Sequence, residues 1–245
     1  MGEVSVYVMF INKVCLTTAN TSSHAEDPLM DIAIIGAGNV GRALATSFER
    51  AGHNVIITSR DPEHAGAVAS ATSSRIATSN LEAARAAEIV VLAIPFSSAA
   101  DVATEIREAV AGKPVIDATN RMSFGPTGPV LDAGESNAEQ LAAWLPEASV
   151  IKAFNTLFAS NQSAPIADGI QLDGFVAGDD VSAKARILEL VQSIGLHPVD
   201  VGPLSRAQQL EQLAFLNIAL NITSGGAWQS GWKLVGAPVP ALVAA

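Results

Sequence analysis

The run Met30-Asp31-Ile32-Ala33-Ile34-Ile35-Gly36-Ala37-Gly38-Asn39-Val40-Gly41 sets the tightest limit on what this chain can fold into. An apolar stretch that reads as a strand enters Gly-x-Gly-x-x-Gly and leaves it as a helix-compatible segment, and that context gives the three glycines their meaning. Gly36 permits a tight turn, Gly38 lets a ligand approach bare backbone, and Gly41 lets the helix pack closely on the strand. Free N–H groups and the positive end of the helix dipole then converge on one point, where they favour a pyrophosphate.

From Asp31 onward, short apolar runs alternate with longer helix-compatible segments, the pattern of a mostly parallel sheet covered on both faces. Strands are expected over 31–35, 54–58, 75–78, 89–94, 114–118, 150–154, 175–177 and 197–201, with helices over 40–51, 62–71, 81–87, 97–111, 137–145 and 181–194. The Gly- and Pro-rich stretch 122–136 reads as a long surface connection. The fold class is therefore α/β, a doubly wound sheet of the Rossmann type with a small helical C-terminal lobe. The expected division is a leader over 1–29, a dinucleotide-binding domain over 30–154 and an acceptor or dimerisation lobe over 155–245.

Composition narrows the partners. With 49% apolar and 16% charged residues the chain has ample core material. A net charge of −10 with no offsetting basic block speaks against nucleic acid and anionic membrane surfaces. The single cysteine, Cys15, excludes an internal disulfide framework and fits a reducing, cytoplasmic setting. Residues 1–29 carry Glu3 and Lys13 where a secretory signal would be basic and then unbroken, so they read as an extension ahead of a fold starting at Met30. No apolar run reaches the ~20 residues of a membrane-spanning helix.

The second strand ends in Thr58-Ser59-Arg60. An acid there would accept from the 2′-hydroxyl of NAD, whereas a hydroxyl and a guanidinium suit a 2′-phosphate, so the expected cofactor is NADP(H). Asp61, followed by Pro62, is expected to cap the next helix. His64 is either a second phosphate contact or, more commonly at such a position, solvent-facing.

In an open α/β sheet the ligand lies beyond the carboxyl ends of the strands. The candidates there are Ala93, Ile94, Pro95 and Phe96, then Ala118, Thr119 and Asn120, then Asn155 and Thr156. Pro95 is expected to stop its strand and turn Phe96 toward the cleft. Asn120 and Asn155 end strands expected to be neighbours, and an Asn in such a place serves a ligand or a turn, a choice the residues leave open. Lys152, inside its strand, is expected to carry its ammonium to solvent.

The segment 205–223 reads as a long helix whose second half must be buried against the core or a second copy, so a homodimer is expected. Asn217 and Asn221 share a face of it, which either meets a polar pocket or, as is commoner, is exposed. Trp228 and Trp232 follow between glycines. No zinc-like cluster is present, the only tyrosine is Tyr7, and no Lys-x-x-x-Asn pair falls between Lys152 and Lys184. No metal is therefore expected, and a hydride transfer that needs a side-chain proton donor is poorly supported.

Together, MDIAIIGAGNVGRALA from Met30, Thr58-Ser59-Arg60, Ile94-Pro95-Phe96, Val150-Ile-Lys-Ala-Phe-Asn-Thr156 and Asp200-Val-Gly-Pro-Leu-Ser205 resemble the NADPH-dependent reductases of coenzyme F-420 (F420) over about Met30 to Leu234. The resemblance implies direct hydride transfer between carbon 4 of the nicotinamide and carbon 5 of a deazaflavin, by positioning alone, with no protein base and no catalytic side chain. Archaeal members have His-Thr where this chain has Asn155-Thr156. The chain also resembles the dinucleotide domain of six-transmembrane metalloreductases, which pass electrons to FAD. A flat deazaflavin or flavin-like small molecule is thus the expected acceptor, in a cleft between Pro95-Phe96, Asn155-Thr156 and the Trp228 to Trp232 segment, with reduction of a small ketone or imine and a non-catalytic NADPH sensor as alternatives.

Overall fold

The computed structural model describes residues 29–125, 128–131 and 134–236, so the leader reading, Cys15 and Tyr7 lie outside the described residues. Strand β1 (Asp31–Ile35) turns through the glycines into α1 (Asn39–Arg50), followed by β2 (Asn54–Thr58), α2 (Pro62–Ala71), β3 (Arg75–Ile76), α3 (Asn80–Ala86), β4 (Ile89–Leu92), α4 (Ala99–Ile106) and β5 (Pro114–Asp117). Then come β6 (Met122–Gly125), β7 (Gly128–Leu131), α5 (Asn137–Trp144), β8 (Ser149–Ala153), α6 (Ala159–Ser163), β9 (Ile166–Ala167) and β10 (Ile170–Gln171). Strand β11 (Asp173–Gly178), α7 (Val181–Ser193), β12 (His197–Gly202) and α8 (Ala207–Ser224) are the last helices and strands of the described residues.

Eight strands form one sheet in the order β12-β11-β8-β5-β4-β1-β2-β3. Every neighbouring pair is parallel except β11 with β8. The connections reverse direction between β1 and β4, which opens a crevice at the carboxyl ends of those strands. Both faces are covered, and the side chains alternate between them: Ile32 and Ile34 pack with Leu44, Phe48 and Ile187, while Ala33 and Ile35 pack with Ala103, Ile106 and Leu141. Burial on both faces is why these strands read as unbroken apolar runs.

The helices start where their sequences say. Asp61 caps α2 by accepting from Glu63 N at 3.0 Å with Pro62 in the first turn, and Ser136 and Glu139 form a reciprocal capping box on α5. Helix α1 is different, because Gly38 precedes it and no side chain caps it. Its first N–H groups have no partner from a capping side chain, at the crevice.

Some elements depart from expectation. Strand β4 stops at Leu92, since Pro95 has no N–H to extend a ladder and a 3-10 turn begins at Phe96. The stretch 122–136 contains the hairpin of β6 and β7, in which Phe124 pairs with Pro129. A proline within the run conceals such a strand from sequence patterning. The sheet continues past residue 154 through β11 and β12, so what lies outside it near the C-terminus is α8 and the segment to residue 236. Among the described residues no helix is long and apolar enough to cross a membrane.

Candidate functional site

The three motif glycines do different things. Gly36 has φ of +114°, and a Cβ there would lie 2.2 Å from the carbonyl oxygen of Ala93. A Cβ on Gly41 would lie 1.9 Å from the carbonyl oxygen of Gly36. A Cβ on Gly38 would meet nothing within 4 Å. The fold itself therefore requires Gly36 and Gly41, whereas no described atom of the chain requires exposed Gly38 to lack a side chain. Exposed Asn39 and part-buried Val40 follow, at the uncapped start of α1. This cradle fits a dinucleotide pyrophosphate, held by backbone N–H groups in a favourable dipole.

Beside it, the carbonyl of buried Thr58 accepts from Gly36 N at 2.9 Å, which ties the end of β2 to the turn. Ser59 Oγ accepts from Asp61 N at 3.3 Å, and Arg60 is exposed just beyond the strand. His64 is exposed on α2, its Nδ1 3.7 Å from the Asp61 carboxylate. Buried Ala37 sits in the core below the turn. On the β4 side, Ile94 is part-buried and Pro95 exposed, but Phe96 does not turn into the cleft. Its ring stacks on Trp144 of α5, centroids 5.6 Å apart, because the 3-10 turn carries it toward that helix.

A cleft of about 400 Å³ runs from Asn39 and Val40 past Asn120, Asn155 and Thr156 to Phe158, Ser160 and Trp228, with Ala214 and Ile218 of α8 on one wall. The structure thus brings Asn155, Thr156 and Trp228 to one cleft, joins to them Asn39, Val40 and Asn120, which the sequence placed at the dinucleotide, and adds Ala214 and Ile218 of α8, which sequence reasoning missed. Asn120 and Asn155 end the adjacent strands β5 and β8 and bond to each other. Asn120 Nδ2 donates to Asn155 O at 3.0 Å, and Asn155 Nδ2 donates to Asn120 Oδ1 at 2.8 Å and to Leu210 O at 3.0 Å. Those carbonyl partners fix the orientation of the Asn155 amide and leave its Oδ1 buried with no hydrogen-bond partner.

Two residues bordering this cleft have left-handed backbones without being glycine: Phe154 at φ +63° and Trp228 at φ +55°. Such conformations cost about 1–3 kcal/mol and persist only where surroundings hold them. Phe154 is held by Gln162 Nε2 donating to its carbonyl at 2.6 Å and by an edge contact on Phe48. Trp228 meets Phe158 edge-on at 5.2 Å, and its carbonyl accepts from Ser160 Oγ at 2.6 Å.

The exposed reading of Asn217 and Asn221 is overturned: both are buried against the segment after α8. Asn221 Nδ2 donates to Ser230 Oγ at 2.6 Å, Asn221 Oδ1 accepts from Trp228 N at 3.2 Å, and Asn217 Nδ2 donates to Ser230 O at 3.1 Å. That segment has no regular structure, so side-chain amides satisfy its backbone groups instead. Helix α8 accordingly turns a polar-containing face inward, with Glu211, Asn217 and Asn221, and leaves Leu216, Leu220 and Ile222 exposed.

Lys152 is the larger correction. It does not reach solvent but is 0% exposed, because the strand's last residues lie under α8. Its Nζ donates to Asp117 Oδ2 at 2.8 Å, Thr119 O at 2.6 Å and Glu211 Oε1 at 2.7 Å, which uses all three ammonium hydrogens. Asp117 Oδ1 accepts from Thr119 N at 2.9 Å, Glu211 Oε1 also accepts from Asn137 N at 2.9 Å, and Asn137 Nδ2 donates to Thr119 Oγ1 at 2.8 Å. Burial pushes the Glu211 carboxyl above the usual glutamate value, with Lys152 pulling down and Asp117 pushing up. Ala118, between Asp117 and Thr119, is buried and links back to Leu92 O at 3.3 Å. Among the described residues no cluster of His, Cys, Asp and Glu could hold a metal ion.

With this geometry described, similarity to known proteins can be stated. Residues 31–121 match the family of coenzyme F420-dependent NADP oxidoreductases. The chain is 34% identical over 210 residues to the F420-dependent NADP reductase of Methanothermobacter thermautotrophicus, covering 79% of this chain and 90% of the relative. It is 30% identical over 186 residues to the metalloreductase STEAP3 of Rattus norvegicus, covering 74% of this chain and 36% of that protein, so it spans about a third of the length of the metalloreductases it matches. A crystal structure from Arthrobacter sp. FB24, described as that of a candidate F420-dependent NADP reductase, superposes with a TM-score of 0.77 at 31% identity, covering 84% of this chain and 99% of that one. Imine reductase from Myxococcus stipitatus, at 14% identity and a TM-score of 0.61, shares the fold.

Proposed function

The chain belongs to the family of coenzyme F420-dependent NADP oxidoreductases, and on that premise we propose that it transfers a hydride between NADPH and a flat three-ring acceptor, coenzyme F420 or a flavin. The observation that carries the reading is the buried, unpartnered Oδ1 of Asn155 in a cleft that starts at the glycine turn and ends at a half-exposed tryptophan. Bound NADPH would supply the hydride from its nicotinamide ring. The chain's own residues position, select and exclude water. Asn155 Oδ1 accepts from a ring-edge N–H of the acceptor, and Phe158 and Trp228 give its face an apolar wall. Gly38 and the start of α1 hold the pyrophosphate, and Ser59 and Arg60 the 2′-phosphate. A cytoplasmic location belongs to the same reading.

Reduction of a ketone or imine wants a titratable donor close to the reacting atom. The described residues lining this cleft include no Asp, Glu, His, Lys, Arg, Tyr or Cys, and Lys152 is committed elsewhere. This disfavours the small-carbonyl alternative. A non-catalytic sensor needs no room for an acceptor ring beside the nicotinamide, and the same assay separates the two. The deciding experiment follows NADPH oxidation with F420, FMN, FAD and a ketone panel in parallel. Turnover with F420 or a flavin is expected; turnover with ketones alone, or with none, overturns the reading. In the same work Arg60→Ala is expected to weaken NADPH about tenfold to a hundredfold and leave NADH unchanged, since a charge-assisted hydrogen bond contributes about 1.5–3 kcal/mol. Equal losses for both dinucleotides would remove Arg60 from the 2′-phosphate.

Leu216 and Leu220, one turn apart, form an exposed apolar stripe on α8. We propose that a second copy of the chain covers it, as homodimers commonly bury such faces. Light scattering is expected to give twice the chain mass at micromolar concentration; a monomer overturns the assignment.

A further inference from the structure

We propose that Lys152, Asp117 and Glu211 form a positioning latch that draws α8 onto the carboxyl ends of β5 and β8 and so fixes the Asn120–Asn155 pair in the cleft. The proposal rests on the reading of that cleft as the acceptor site for its purpose, while its geometry is independent of that reading. Two of the three bonds of the Lys152 ammonium end beside one of the asparagine contacts, and the third, to Asp117, holds the same loop through Thr119 N. Thr119, whose carbonyl takes one hydrogen, precedes Asn120. Glu211, which takes another, follows Leu210, whose carbonyl accepts from Asn155 Nδ2. Lys152 itself lies on β8 just ahead of Phe154 and Asn155.

The same bonds set the far wall. Glu211, Ala214 and Ile218 share a face of α8, at positions i, i+3 and i+7, and the last two line the cleft. Holding Glu211 therefore holds the cleft's width at that wall. Glu211 Oε1 also anchors the first turn of α5 through Asn137 N, so three elements meet at one carboxylate. Packing alone does not account for this choice. Apolar residues of similar volume stabilise such a position at least as well as buried ions, but they lack the directional bonds that fix register. Two carboxylates on one ammonium, with burial raising the Glu211 proton affinity, mark a place where geometry is favoured over stability.

The test uses the free protein and needs no acceptor. In Glu211→Ala, hydrogen–deuterium exchange over residues 208–218 is expected to rise at least tenfold, and the Asn155 side-chain amide resonances to shift toward those of a solvated amide. Exchange in α1 and the dissociation constant for NADPH are expected to stay within threefold of wild type. Glu211→Gln keeps a carbonyl oxygen for both Lys152 and Asn137 N, and is expected to restore the α8 protection and the Asn155 resonances. Should Glu211→Ala fail to fold, Glu211→Asp, one methylene short, is expected to raise the same exchange at least threefold. Unchanged exchange in the Ala or Asp variant overturns the latch, as does loosening of α1 in step with α8, or a Gln variant no better than Ala. With F420 as the probe, Glu211→Ala is expected to raise its KM at least tenfold and change kcat less. Absence of any F420 turnover in wild type counts against the proposed acceptor alone, because the exchange result decides the latch without it.

Discussion

Lys152→Met is expected to cost about 3–5 kcal/mol of folding stability, among the largest losses available to a single substitution in this chain, because it leaves Asp117 and Glu211 buried beside each other with no cation. The side chain fits the space, so the loss comes from charge rather than from a cavity. Urea denaturation of three proteins separates the two causes. If charge is responsible, adding Asp117→Asn and Glu211→Gln to the methionine variant restores most of the stability, since a neutral cluster has no uncompensated ion. If the triple variant is as unstable as the single one, the electrostatic account fails. The pH dependence supplies a second sign. Glu211 has its proton affinity raised on folding, so its contribution is complete below the ordinary value of 4.5 and is lost as pH rises through the raised value. The stability difference between Glu211→Gln and wild type should therefore move in favour of the variant over that rise.

Why this cluster escaped a sequence reading is itself physical. Lys152 pairs with groups 35 and 59 residues away, so no local spacing exposes the arrangement. Within Val150-Ile151-Lys152-Ala153-Phe154 a lysine reads as a lone charge on an apolar strand, and solvent is its ordinary destination. Asn217 and Asn221 were legible as a pair, since four residues apart is one helix face, but their partner at residues 228–230 has no periodicity to announce it. Phe96 failed differently: its position after a strand was right, and its direction was set by a 3-10 turn and by Trp144, neither visible locally. By contrast β1, β2 and the cap at Asp61 depend on contiguous residues, and their observed bounds are those expected. The Asn120–Asn155 pairing was also legible, because the parallel order of the sheet makes β5 and β8 neighbours and places both strand ends together.

The glycine motif permits a sharper separation of fold from ligand. Gly38 has φ of −74° and ψ of −168°, a conformation open to any L-residue, and a Cβ there meets no atom of the chain. Gly38→Ala is therefore expected to keep the melting temperature of the free protein or raise it, by up to about 0.4–1 kcal/mol of stability, because alanine restricts the unfolded chain. The same methyl group stands where a pyrophosphate must reach the N–H groups at the start of α1. Losing two such charge-assisted hydrogen bonds, at about 1.5–3 kcal/mol each, weakens NADPH by about a hundredfold or more. Gly41→Ala gives the opposite pattern, since its Cβ would lie 1.9 Å from the Gly36 carbonyl oxygen, backbone against helix, with no flexible side chain to yield. A loss of about 3 kcal/mol or more is expected there before any ligand is considered. Calorimetric titration with NADPH and thermal melts of both variants read the two effects independently. A Gly38→Ala protein that binds NADPH as wild type does would show that the pyrophosphate does not lie on this turn. One that melts well below wild type would show that Gly38 serves the fold after all.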